Sequence, residues 1–171
     1  YWGWRFMGWA LHYVGDLTQP YHTDPLPGVD LLSALWSVVM GETNDLIQLV
    51  SNRHGVLESY QYRRVLALMH EEAWQAPLLL AISEPQTACF TPAGVVSDLT
   101  AQSVALGPGL DGTLSKRVPA LYVSDPAFEW VGYELEADVV ALINAQGGDS
   151  AIEALDNELE RHLRRFSYYL Q

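Results

Sequence analysis

The sequence predicts an all-α protein: a compact multi-helix domain with no sheet. Three observations carry this. Apolar residues recur at three- and four-residue spacing, while strand-like alternation is scarce. Proline and glycine clusters cut the chain into segments of helical length. At 171 residues and 49% hydrophobic composition, the chain suits a single domain over 1–171 with a sizeable core.

The spacing predicts a first helix over 1–18. Trp2, Phe6, Trp9 and Tyr13 fall on one side, and Trp4, Met7, Leu11 and Val14 on another. A helix apolar over most of its circumference is expected to be buried. Its one polar or small stripe holds Arg5, Gly8, His12, Gly15 and Asp16. Pro20, Pro25, Pro27 and Gly28 then break the chain. Helices are expected at 29–40 and 43–75. SEPQTACFTP, residues 83–92, reads as a break, and a helix over 93–106 follows. GPGLDG and SDP give 107–130 the look of a long surface loop. The last two helices are expected at 133–146 and 150–170. Asp149 or Ser150 would cap the final one, and Arg161, Arg164 and Arg165 would sit at its negative pole.

Composition narrows the function classes. The net charge is −12, and Asp125 to Glu160 holds ten acids with no Lys or Arg. A basic groove for nucleic-acid phosphates is not expected on such a chain. The acidic run reads as a solvated helix face. The single Cys89 excludes an internal disulfide and reads as a core residue. No apolar run is long enough to span a bilayer. The first residue is Tyr1 and helical spacing begins at once, so the chain is expected to be processed or truncated upstream.

Three of the five histidines gather in two patterns. His12 and Asp16 are four apart on the first helix, so they share a face, and His22 follows Pro20 and can turn back toward them. His54 and Glu58 are again four apart, on a stripe of Ile47, Val50, Val65 and Met69 that is expected to face the interior. A carboxylate in apolar company needs a partner. Two hydrogen-bonded His–carboxylate pairs would supply one. A divalent metal held by imidazole and carboxylate would supply it more completely, and three ligand-type residues near one helix end favour the metal. His70 reads as a surface or dipole-capping residue and His162 as solvated. Asp24 reads as either a group orienting a ligand imidazole or a turn cap.

HYVGDLTQPYH, followed some thirty residues later by HGVLE, resembles the zinc-dependent phospholipase C family, which shares its all-α fold with the fungal single-strand nucleases. The pattern H-x3-D-x2-QP-x-H, then H-x3-E, is filled by His12, Asp16, Gln19, Pro20, His22, His54 and Glu58. The likeness covers residues 5–60; beyond them only helical character supports it. The resemblance implies a cluster of up to three zinc ions. His12 and Asp16 match ligands of a close metal pair, with Asp16 bridging and catalytic. His22, His54 and Glu58 match the full ligand set of the remaining zinc. The family's upstream ligands, which precede this first helix, have no counterpart here. That implies the later part of a longer domain, or a degenerate cluster.

The activity so implied is phosphodiester hydrolysis. Zinc would hold phosphoryl oxygens, bring a bound water's pKa near neutrality and neutralise the leaving oxygen. A phospholipid or a membrane surface is the expected partner, and nucleic acid is disfavoured by the acidic chain. Tyr21, Tyr122, Phe128 and Trp130 read as loop aromatics that would meet lipid, stack on bases, or simply pack. The resemblance implies a secreted or periplasmic protein. The alternatives are a single-strand nuclease, and a non-catalytic helical module in which one zinc staples two helices.

Overall fold

The computed structural model describes residues 2–24, 27, 31–84, 92–129 and 138–169, and all secondary structure among them is helical. The helices are α1 (Trp2–Asp16), α2 (Pro20–Thr23), α3 (Leu31–Met40), α4 (Thr43–His70), α5 (Pro77–Ser83), α6 (Pro92–Arg117), α7 (Ala120–Ser124) and α8 (Val139–Tyr169). α8 packs against α4, α5 and α6, and α7 closes over α4. Val56, Leu57 and Tyr60 of α4, Leu110 and Leu114 of α6, and Ile143, Leu155 and Leu159 of α8 share one apolar core. Burying a Val or Leu side chain stabilises the fold by about 1.5–3 kcal/mol, so this junction outweighs any local propensity.

That weight explains the largest departure from the sequence reading. Residues 107–117 are not loop but the second half of α6, which runs through Pro108. Leu99, Ser103, Leu110, Leu114 and Val118 are buried, and their spacing is helical across the GPG turn signal. Pro108 forgoes its bond to the carbonyl of Val104, but both residues are exposed and water can take that carbonyl. Gly107 is needed for another reason. A Cβ there would lie 2.8 Å from the Cβ of Pro27 and 3.4 Å from that of Pro20, so a bare backbone lets the α2 segment lie directly on α6.

Smaller differences have local causes. α4 stops at His70 rather than 75, and Glu72 adopts a positive φ of 54° that turns the chain toward α5. α5, where the sequence reading expected no helix, begins on Pro77 and buries Leu78, Leu79 and Ala81. The break expected between the last two helices is present: Gly148 has φ 62° and ψ −164° inside α8. The Ser150 hydroxyl donates to the Gly147 carbonyl rather than capping the next turn. Arg164 pairs with Glu160 and Glu84, and Arg165 donates to the Gln102 carbonyl, so these arginines tie α8 to its neighbours. Residues 130–137 and Cys89 lie outside the described residues.

α1 is the clearest correction. It was expected to be buried, yet none of its residues is. Trp4 is 76% exposed, and Trp36 on α3 is 66% exposed. An apolar circumference says that a helix gains from cover; it does not say that the described residues provide it. No helix is long and apolar enough to cross a membrane among the described residues.

Candidate metal centre

The centre is built where the end of α1, the short α2 and the middle of α4 meet. After Asp16 the chain tightens. Gln19 N–H donates to the Asp16 carbonyl at 3.0 Å, and the Thr18 hydroxyl donates to the Gly15 carbonyl at 2.7 Å. Gln19 caps α2, its Oε1 accepting from Tyr21 N–H at 2.6 Å, and Pro20 fills the first helical position, where a missing N–H costs nothing. The turn thus produced brings His22 back over α4. Asp24 ends it, its N–H donating to the Pro20 carbonyl at 2.7 Å.

His22 meets His54 and Glu58 there. Glu58 Oε1 lies 3.0 Å from His54 Nε2 and 3.7 Å from His22 Nε2, and ligand atoms of the three residues lie within 4.8 Å of one another. The two imidazoles meet edge to face at 4.6 Å. A tetrahedral zinc with ligands at about 2.0–2.2 Å spaces its donor atoms by roughly 3.3–3.6 Å, and the two separations from Glu58, 3.0 and 3.7 Å, straddle that spacing. The His54–Glu58 contact, though 3.0 Å, is not aligned as a hydrogen bond, and His54 Nε2 is buried with no hydrogen-bond partner. A buried nitrogen beside a carboxylate oxygen, with no bond between them, fits two lone pairs directed at a common cation.

The stripe expected to face the interior is only partly covered, and two of its residues, Glu58 and Val65, line a cleft. Ile47 is 61% and Met69 44% exposed, while Val50, His54, Glu58 and Val65 are half-buried. The cleft has a volume of about 500 Å3 and runs between the α1–α2 turn, α4 and α8. His22 and Glu58 line it, and so does Asp16. His12 does not join the three-residue group. It pairs with Asp16 at 3.5 Å with a side chain 72% exposed.

Behind the centre lies a buried brace that the sequence reading did not anticipate. The Tyr21 hydroxyl donates to Asp111 Oδ1 at 2.6 Å. Arg53 Nη1 donates to both oxygens of Asp111 at 2.8 Å, and its Nε donates to the Val123 carbonyl at 2.9 Å. Burial, followed by the adjacent Asp111 carboxylate, pushes the Tyr21 hydroxyl far above its ordinary pKa, so it stays a donor. Tyr21 stacks on the His54 ring at 6.3 Å and 27°. It is therefore no surface aromatic. Tyr122 and Phe128 likewise pack edge to face at 5.0 Å against the core, and Trp130 lies outside the described residues.

His162 is a second correction. It was read as solvated, yet it is 3% exposed, and its Nδ1 lies 3.0 Å from the Thr18 carbonyl, which can only accept. Burial, helped by Arg165 and Arg161, lowers its pKa from 6.5 to about 4 against the opposing pull of the Thr18 bond. As pH falls, the unfolded chain takes up this proton near 6.5 and the folded chain only near 4. Stability from His162 is therefore full above pH 6.5, declines across that window and levels off below 4. The decline is expected to reach about 3 kcal/mol. Urea unfolding of zinc-free protein from pH 7 to 4 should show wild type losing that much more than His162→Gln. Parallel curves would rule it out.

No family model, curated protein or solved structure matches the chain.

Proposed function

We propose that this chain carries the metal centre of a zinc-dependent phosphodiester hydrolase of the phospholipase C type, acting on a phospholipid. The observation that carries the reading is the convergence of His22, His54 and Glu58 at the edge of a cleft that Asp16 also lines. His22 and His54 would hold the ion through Nε2, and Glu58 through its carboxylate. When bound, zinc supplies Lewis acidity toward a phosphoryl oxygen and lowers the pKa of a coordinated water. Asp16, which lines the same cleft and has Oδ2 3.5 Å from His12 Nε2, would hold a proton during the reaction.

Lipid is favoured over nucleic acid on two counts. Leu57, Val65, Leu66 and Ile82 give the cleft an apolar lining, and the charge of −12 opposes a polyanion. The test is hydrolysis of phosphatidylcholine and of single-stranded DNA by zinc-loaded protein. Lipid cleavage that falls at least a thousandfold in Asp16→Ala is the expected result. Cleavage of DNA alone would transfer the reading to the nucleases. Full activity in Asp16→Ala would sink the role given to that residue. A closed four-ligand zinc whose removal unfolds the protein would favour the structural-module reading instead.

A further inference from the structure

α1 and α3 carry an apolar surface that the described residues leave bare. Trp2, Phe6, Trp9 and Tyr13 of α1 are each more than half exposed, and their three- and four-residue spacing makes one helical seam. Trp4, Met7, Leu11 and Val14 make a second seam with the same spacing. At roughly 100° per residue the two seams are about 200° apart, so they lie on opposite sides of the helix. On α3, Leu32, Leu35, Trp36 and Val39 make a third, again with each residue more than half exposed. Among the described residues no helix of the chain packs along α1.

Seams of this kind are met by other helices. A helix lying on a bilayer buries one side and turns a strongly polar one to water; α1 is apolar on both sides and would keep one of them wet. Two copies of the chain can cover every seam, because α1 can take the partner's α1 on one side and the partner's α3 on the other. The area suffices. An aromatic side chain offers roughly 150–250 Å2, so the five aromatics of α1, each more than half exposed, present on the order of 600 Å2 per copy. The pair then passes the least expected of a specific interface, about 1,000 Å2, before α3 is added.

Charge also favours a second copy at this face. Two chains of −12 repel each other, least where charge is sparse. α1 holds one cation, Arg5, and one carboxylate, Asp16, and α3 holds neither sign. Arg5 and Asp16 lie toward opposite ends of α1, so an antiparallel pair places unlike charges at each end. The first seam is ordered within the chain. The Arg5 guanidinium lies 5.3 Å from the Trp2 ring and 5.8 Å from the Trp9 ring, and Phe6 meets Trp9 edge to face at 5.5 Å. Side chains already arranged lose less freedom when a partner arrives.

We propose that α1 is the dimer helix of this protein. The Trp2–Tyr13 seams of two copies pair antiparallel about a two-fold axis, and the second seam of each α1 packs on the partner's α3. None of this depends on the metal centre, so its failure would leave the hydrolase reading untouched.

The test is analytical sedimentation of the full chain over a concentration series, for wild type, Trp9→Glu and Trp36→Glu. A wild-type dimer that tightens as salt screens the repulsion is expected. Each substitution should weaken it at least about a hundredfold, as loss of a central aromatic anchor does. Trp9 and Trp36 are 51% and 66% exposed, so both variants should keep the circular dichroism of the wild-type monomer. Hydrogen exchange on wild type needs no variant: amide protection of α1 and α3 should rise with concentration through the dimer transition. A monomeric wild type, a dimer that either substitution leaves unweakened, or α1 protection that ignores concentration would each overturn the proposal. A monomer that floats with phosphatidylcholine vesicles would give the face to lipid. Assemblies that grow beyond two copies would replace the closed pair with an open array.

Discussion

Replacing His54 with alanine is expected to abolish zinc binding while leaving the fold intact. His54 supplies one of three protein ligands, and its loss leaves His22 and Glu58, too few for a tight site. Residues that merely orient ligands alter metal affinity by roughly 10–100-fold, and losing a ligand should exceed that. The side chain is 29% exposed and lies outside the apolar core, so its truncation costs little packing. The measurement is zinc per chain by elemental analysis of protein purified without chelators. About one zinc in wild type and none in the variant is the expected pair of values. Zinc retained by His54→Ala would place the ion elsewhere, with His12 and Asp16 the next residues to replace. Two or three zinc ions in wild type would mean that further residues complete a cluster around Asp16. Glu58→Gln sharpens the result, because it keeps the side chain's shape and removes its charge. It should lose most of the affinity.

How much of this was legible in the sequence differs from residue to residue. His54 and Glu58 were visible because a four-residue period on a long helix is a strong pattern, and the turn back to His22 was visible in the proline after Gln19. What lay opposite them was not. Asp111 sits in GPGLDG, where three glycines and a proline outweigh the helical spacing of Leu110 and Leu114. Read as loop, that acid had no reason to be buried or to need Arg53. His162 is flanked by Glu160, Arg161 and Arg164, and the charges hid its place on the stripe of Leu155, Leu159 and Leu163, which the helical period does show. α1 failed differently. Its composition was read as that of a buried helix, but composition alone does not say where cover comes from.

The second large effect concerns the brace rather than the ligands. Asp111→Ala is expected to destabilise the fold by about 3–5 kcal/mol, the usual cost of removing one partner from a buried ion pair. The mechanism is specific. Arg53 loses both of its bonds to that carboxylate in a setting where its side chain is only 19% exposed, and the buried Tyr21 hydroxyl loses its acceptor. Asp111→Asn should cost less, since its Oδ1 can still accept from Tyr21, although the charge that offsets Arg53 is gone. The consequence should reach the metal, because Tyr21 stacks on His54 and sits next to His22 in the turn that delivers it. A brace that only stabilised the fold would lower stability equally with and without zinc. A brace that also positions ligands would shrink the extra stability that zinc confers, which depends on affinity through RT ln(1 + [Zn]/Kd). Urea unfolding of wild type and Asp111→Asn, each with saturating zinc and with chelator, separates the two. A zinc increment smaller in the variant by about 1.4–2.7 kcal/mol corresponds to the 10–100-fold affinity loss typical of residues that orient ligands. An unchanged increment would confine Asp111 to holding α6 against α2 and α4, and would leave the alignment of His54 to its own helix.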